Sequence, residues 1–246
     1  MFIELFASLL AISLISFVGL FTIRLSPKQI GKYLEFMVAF AIGALLGDVF
    51  IHLLPELAEK SFSIDLSLTV LAGIVTFFVL EKVVHWHHCH HLSHGKNCTS
   101  FTSMSLMGDV LHNFIDGVIL AGAFLVNPVV GFSTAVAIAL HEIPQEIGDF
   151  GILLKGGFTK SKAMLFNFLV SLTAFAGAIF ALIFNNLVAG LTPYFIAFAV
   201  GSFLYIAGTD LFPELHKGFS AKKSVLQLFF ILLGIGIMAL LLLVAE

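Results

Sequence analysis

The sequence predicts an all-α membrane protein of eight transmembrane helices, both termini outside, with an inverted repeat of spans 1–3 and 6–8 around spans 4–5. Three observations predict it. The 246-residue chain is 59% apolar and only 11% charged, whereas a soluble domain carries about 25% charged residues. Its apolar residues fall into runs long enough to cross a bilayer as helices, which satisfy their own backbone there. Its basic residues are confined to alternate loops. Residues 1–246 read as one transmembrane domain, and the net charge of −3 gives nucleic acid no footing.

The spans are expected at about 3–23, 33–57, 66–85, 102–126, 129–154, 161–185, 191–213 and 223–245. Met1-Phe-Ile-Glu lacks the basic start of a secretory signal, so the first run is expected to be a retained span. Pro27, Asn127-Pro128, Gly156-Gly157 and Thr192-Pro193 punctuate the runs. Arg24, Lys28, Lys32, Lys82, Lys96, Lys155, Lys160, Lys162, Lys217, Lys222 and Lys223 all fall in, or at the span ends flanking, loops 1–2, 3–4, 5–6 and 7–8, and only Lys60 lies on the other side. The positive-inside rule then puts those four loops in the cytosol. Spans 2 and 7 repeat one pattern at a constant offset of 158: Gly43-x-x-Leu46 leading to Leu54-Pro-Glu-Leu57, and Gly201-x-x-Leu204 leading to Phe212-Pro-Glu-Leu215. Run in opposite directions, they are what an inverted-topology repeat predicts. His52 and Glu56 then lie near the outer mouth, and Asp210 and Glu214 near the inner one.

Spans 4 and 5 carry the chemistry. Asp109, His112, Asn113 and Asp116 follow an i, i+3, i+4, i+7 pattern and share a helix face. His141, Gln145 and Asp149 make a second face, with Glu142 and Glu146 beside it. A charged side chain near a bilayer centre costs roughly 2.5–3.5 kcal/mol on insertion scales, so this concentration needs a shared purpose. His112 with Asp116, and His141 with Gln145, sit one turn apart and can each hold one metal ion. Facing each other, they offer two imidazoles, a carboxylate and an amide oxygen, a set suited to Zn²⁺, Fe²⁺ or Mn²⁺. Asn113, Glu142 and Glu146 supply a second position alongside. Interhelical polar glue is the plain alternative, but glue needs neither two histidines nor five acids. Pro144 is expected to bend or loosen the helix next to the ligands. Gly117, Gly122, Gly148 and Gly151 are expected to let the two helices pack closely. Asn167 and Ser171 in span 6 either extend the site or bond to neighbours.

Residues 86–100 read as a His/Cys-rich cytosolic loop. His85, His87, His88, Cys89, His90, His91, His94 and Cys98 form a flexible tract that can take up soft or borderline metals. A cytosolic setting argues against a Cys89–Cys98 disulfide.

His112-Asn-Phe-Ile-Asp-Gly117 and His141-Glu-Ile-Pro-Gln-Glu-Ile-Gly-Asp149 resemble the paired signatures of the ZIP family of zinc and iron transporters. The second is similar to the zinc-transporter subfamily motif His-Glu-x-Pro-His-Glu-x-Gly-Asp, and Gly47-Asp-Val-Phe-Ile-His-Leu-Leu-Pro55 and Gly201-Ser-Phe-Leu-Tyr205 match that subfamily too. The resemblance implies eight spans with outer termini, a binuclear site between spans 4 and 5, and metal movement into the cytosol without ATP, in a compact prokaryotic-type member. It places His112, Asp116, His141 and Glu142 on family metal positions and Asn113 on the second-site position. Position 145 departs from it: Gln stands where the subfamily has His.

The expected activity is therefore transport of a divalent cation, Zn²⁺ first and Fe²⁺, Mn²⁺ or Cd²⁺ as alternatives, by a multi-pass protein of the plasma membrane. The cation is substrate, and no organic cofactor is expected. The bilayer and metal ions are the expected partners, with a homodimer left open. The alternatives are a metal exporter, a passive pore, and an intramembrane zinc hydrolase built on His141-Glu142, against which Gln145 and Pro144 count.

Overall fold

The computed structural model describes residues 1–19, 27–59, 63–89, 98–188, 190–216 and 220–245. Among these every regular element is helical. Helix α1 is Phe2–Leu14, closed by a 3-10 turn at Ile15–Val18. Helix α2 runs over Pro27–Gly47, a π segment at Asp48–Leu53 and Leu54–Glu59. Helix α3 is Ile64–Cys89, α4 is Cys98–Val126 and α5 is Pro128–Lys155. Helix α6 is Lys160–Ser171 continued by Thr173–Leu187. Helix α7 runs over Thr192–Tyr205, a π segment at Ile206–Leu211 and Phe212–His216, and α8 is Ala221–Ala245.

Six of these are long and apolar enough to cross a membrane: α2, α3, α4, α6, α7 and α8. The other two places expected for spans are taken by the shorter apolar helix Phe2–Val18 and by the 28-residue α5, which carries the acids Glu142, Glu146 and Asp149. The chain is thus an all-helical, multi-pass membrane protein. Helices α3 and α4 run further than hydropathy suggests, to Cys89 and from Cys98. The backbone at both flanks of the His/Cys tract is therefore helical, while residues 90–97 and the side chains of His85, His87, His88, Cys89 and Cys98 lie outside the described residues.

The tightest helix pairs rest on glycine. A Cβ on Gly43 would lie 2.1 Å from the carbonyl oxygen of Ile231, and one on Gly234 would lie 2.4 Å from that of Phe40, so α2 and α8 touch backbone to backbone. Gly201 and Gly73 do the same between α7 and α3, with 2.0 Å to Val70 and 2.4 Å to Phe198. Gly117 and Gly177 join α4 to α6, where a Cβ on either would lie 1.9 Å from a carbonyl oxygen of the other helix. Without a hydrophobic drive between helices in lipid, such close approach is what holds them. This corrects the expectation that Gly117, Gly122, Gly148 and Gly151 serve the α4–α5 contact. Gly117 faces Ala174, Gly122 faces Phe195, and neither Gly148 nor Gly151 has anything within 4 Å of a Cβ. The α4–α5 interface is filled by polar side chains instead, which need room.

Two further features obey the offset seen in the sequence. The π segments begin at Asp48 and Ile206 and end at Leu53 and Leu211. Ser13 Oγ donates to the carbonyl of Ser171 at 3.2 Å, and Ser171 Oγ to that of Ser13 at 3.3 Å, a reciprocal pair 158 residues apart. Helix α5 stops at a Schellman motif: Gly157 takes φ +88°, its N–H donates to Leu154 and that of Phe158 to Leu153. Pro144 sits inside α5, yet the helix continues through it.

Gly177→Val is expected to destabilise the folded protein by about 1–3 kcal/mol through overpacking against Phe114, read as a lower melting temperature in detergent. Gly236→Ala meets nothing within 4 Å and is expected to leave the melting temperature unchanged.

Candidate metal centre

The helical spacing on α4 brings His112 and Asp116 to one face, and α5 brings His141 and the adjacent Glu142 against it. His112 Nε2 lies 3.3 Å from His141 Nε2, 3.7 Å from Asp116 Oδ2 and 3.5 Å from Glu142 Oε1. His141 Nε2 lies 3.2 Å from Asp116 Oδ2 and 3.8 Å from Glu142 Oε1. One donor atom from each of the four residues falls within 4.8 Å of all the others. A cation roughly 2.0–2.1 Å from four tetrahedral ligands holds them about 3.3–3.4 Å apart, so these separations straddle the edge of such a tetrahedron.

The chemistry of the donors agrees. Asp116, His141 and Glu142 are buried. Both oxygens of Asp116 and Oε1 of Glu142 have no hydrogen-bond partner, an arrangement that is costly unless a cation or proton meets them. The Nδ1–H of His141 donates to the carbonyl of Ala137 at 3.1 Å, which leaves the Nε2 lone pair aimed at the centre. Phe77 of α3 meets the His112 ring edge-on at 5.4 Å, and Phe203 of α7 meets His141 at 6.0 Å. Both rings are buried and wall the imidazoles from solvent.

The remaining expected residues form a polar layer beside this centre. Gln145 Nε2 donates to Asp109 Oδ1 at 3.1 Å. Asn113 Nδ2 donates to the Asp109 backbone carbonyl at 3.1 Å and lies 3.5 Å from its Oδ1. Asn167 of α6 donates to Glu146 Oε2 at 2.8 Å, so α6 supports the layer from a third side. Ser171 turns to α1 instead. Asp109 is buried mid-helix, and Asp149 is half-buried.

His52 is brought to a different place. It is buried on the π segment of α2, with Nδ1 3.4 Å from Asp48 Oδ1, and Asp48 Oδ2 accepts from Thr134 Oγ1 of α5 at 2.9 Å. Thr134 lies two turns before His141 on α5. Glu56 is half-buried one turn beyond His52. The side chains of Asp210 and Glu214 lie outside the described residues. The sequence reading missed Asp48 and Thr134 as partners of His52. Asp48 had a signal, an acid in an apolar run one turn before a histidine, but Thr134 had none.

The fold is that of a helical membrane protein, and the spacing of this cluster fits a site for a divalent cation. The family profile described as ZIP Zinc transporter matches residues 2–105 and 87–242. The zinc transporter ZIP13 of Pongo abelii is 33% identical over 95% of this chain and 77% of its own length, and that of Danio rerio is 32% identical over 96% and 86%. The zinc transporter ZIP10 of Danio rerio is 39% identical over a shorter stretch, 57% of this chain and 18% of its own length. The chain belongs to the ZIP family.

Each of the four converging side chains supplies one donor. Loss of one, as in Glu142→Gln or His112→Ala, is expected to weaken stoichiometric zinc binding by more than the roughly 10–100-fold that loss of an outer-shell partner costs, measured by calorimetry on the purified protein.

Proposed function

We propose that this chain carries divalent cations, zinc first, across the membrane and that the cluster of His112, Asp116, His141 and Glu142 is where the ion is held in transit. The observation that carries this reading is the near-tetrahedral spacing of four donors, three of whose carboxylate oxygens lack any other partner. Family membership supports the activity, and a family of transporters makes the hydrolase alternative unnecessary. Asn113, Glu142 and Glu146 supply the adjoining second position, and Gln145 adds an amide oxygen beside the first. Two imidazoles with carboxylates suit zinc, and the neutral Gln145 in place of a third imidazole leaves room for harder ions such as Mn²⁺ and Fe²⁺.

The alternating basic loops support eight spans with both termini outside, and the family resemblance supports passage towards the cytosol, which we place at the plasma membrane. The paired π segments and the Ser13–Ser171 pair support the inverted repeat of spans 1–3 and 6–8. On that frame the ion passes His52 and Glu56 from the outer mouth, reaches the α4–α5 site, and leaves past Asp210 and Glu214. The tract from His85 to Cys98 accepts it on the cytosolic side. Access alternates without ATP. Every ligand comes from a single chain, so a homodimer would hold two separate pathways.

The test is metal uptake into sealed liposomes holding the purified protein, with a metal-sensitive dye inside. Saturable uptake of Zn²⁺ that disappears in His141→Ala, with the variant still correctly inserted, is expected; undiminished uptake in that variant would sink the site. Because neutral imidazoles and ionised carboxylates bind the cation, protons compete with it. Zinc uptake is therefore expected to fall as the outside is acidified, visible as a rise in KM.

A further inference from the structure

We propose that Asp109 is a positioning residue for the cation, holding the side-chain amides of Gln145 and Asn113 by their N–H ends so that their carbonyl oxygens are offered to the ion. This rests on the reading that the α4–α5 site carries the metal, and it assigns a task to a buried acid that the four-donor centre does not use.

An amide is two-faced: one end donates hydrogen bonds and only the other can bind a cation. In a polar pocket the two ends exchange by a half-turn of the side chain, and the wrong half-turn presents N–H to a positive ion. Asp109 Oδ1 fixes the choice. It accepts from Gln145 Nε2 at 3.1 Å, across the α4–α5 interface, and lies 3.5 Å from Asn113 Nδ2, which the Asp109 backbone carbonyl also holds at 3.1 Å. No described residue donates a hydrogen bond to the carbonyl oxygen of either amide. Asp109 is not among the four converging donors, and at 6% exposure it is no surface charge. A carboxylate so placed in a membrane needs partners, and the two amides are the partners it has. The same device recurs one helix away, where Glu146 holds the N–H end of Asn167 and leaves its Oδ1 buried without a partner. Outer partners of this kind orient ligands and set their affinity without touching the ion.

Gln145 explains why the acid matters here. An imidazole at this position would present a nitrogen whichever hydrogen bond it made. A glutamine is a ligand only in one of its two orientations, so its use depends on Asp109.

The test compares Asp109→Asn, Asp109→Leu, Gln145→Met and the double variant Asp109→Leu/Gln145→Met in zinc-loaded liposome assays, with KM and maximal flux read separately. Asn keeps an acceptor oxygen in the same place; Leu has nearly the same size, suits a bilayer helix and accepts nothing. Asp109→Leu is expected to raise KM for zinc roughly tenfold or more, while Asp109→Asn stays within a few-fold of wild type. Adding Gln145→Met to Asp109→Leu is expected to cost less than the product of the single effects, because both remove one bond. An Asp109→Asn variant as impaired in KM as Asp109→Leu would overturn the proposal and make Asp109 a charge acting directly on the ion. Multiplicative effects in the double variant would overturn it too. Should Asp109→Leu fail to fold, Asp109→Asn decides alone: near wild-type KM supports the acceptor role, and a tenfold rise removes it. Wild-type flux indifferent to His141→Ala is a separate outcome, which strikes the underlying site and not the role of Asp109.

Discussion

A carboxylate inside a bilayer has to be compensated, and that requirement arranges most of this molecule. Among the described residues, each buried acid outside the metal centre accepts a side-chain hydrogen bond on at least one oxygen, although Oδ1 of Asp48 has none. Asp48 takes the hydroxyl of Thr134, Asp109 takes the amide of Gln145, and Glu146 takes that of Asn167. At the centre the pattern stops. Asp116 keeps both oxygens unpartnered and Glu142 keeps one, with two imidazole nitrogens beside them. At that point a divalent cation would have the size and charge to serve as the missing partner.

Holding such a cluster together needs a frame that does not depend on it. Helices in lipid gain nothing from burying leucine against leucine, so the frame is made by backbone contact at glycine: α2 on α8, α3 on α7, α4 on α6. The pairs Gly43 with Gly234 and Gly201 with Gly73 mirror each other, and the two π segments sit at matching places in α2 and α7. Helices α3 and α8 have only 17% of their most apolar windows buried, which fits faces turned to lipid.

How much of this was legible in the sequence follows from what a one-dimensional pattern contains. The i, i+3, i+4, i+7 spacing puts His112 and Asp116 on one face, and the structure brings them to His141 and Glu142, whereas the spacing on α5 points to Gln145, which bonds to Asp109 instead. The 158-residue offset was readable from Gly-x-x-Leu and Pro-Glu, and it reappears in the π segments and the Ser13–Ser171 pair. Spacing tells which residues share a face but not which helix that face meets. Gly117 was therefore assigned to α5 when it serves α6. The Asp48–Thr134 bond joins residues 86 apart, and no local signal marks the threonine. The π turns carry no composition of their own.

The origin of the site's parts bears on how an ion could be both held and released. All four donors come from α4 and α5, whereas the aromatic walls, Phe77 and Phe203, come from α3 and α7. Those two helices are joined to each other through Gly73 and Gly201, and α4 is joined to α6 through Gly117 and Gly177. Ligands and walls thus come from different helices, which meet where Gly122 of α4 packs on Phe195 of α7. Displacing one pair of helices against the other would uncover the imidazoles from one side or the other while the donor separations within the centre stay as they are. Access can then change at the cost of ring contacts worth about 0.5–1.5 kcal/mol each, instead of at the far larger cost of pulling charged ligands apart in a medium of low dielectric.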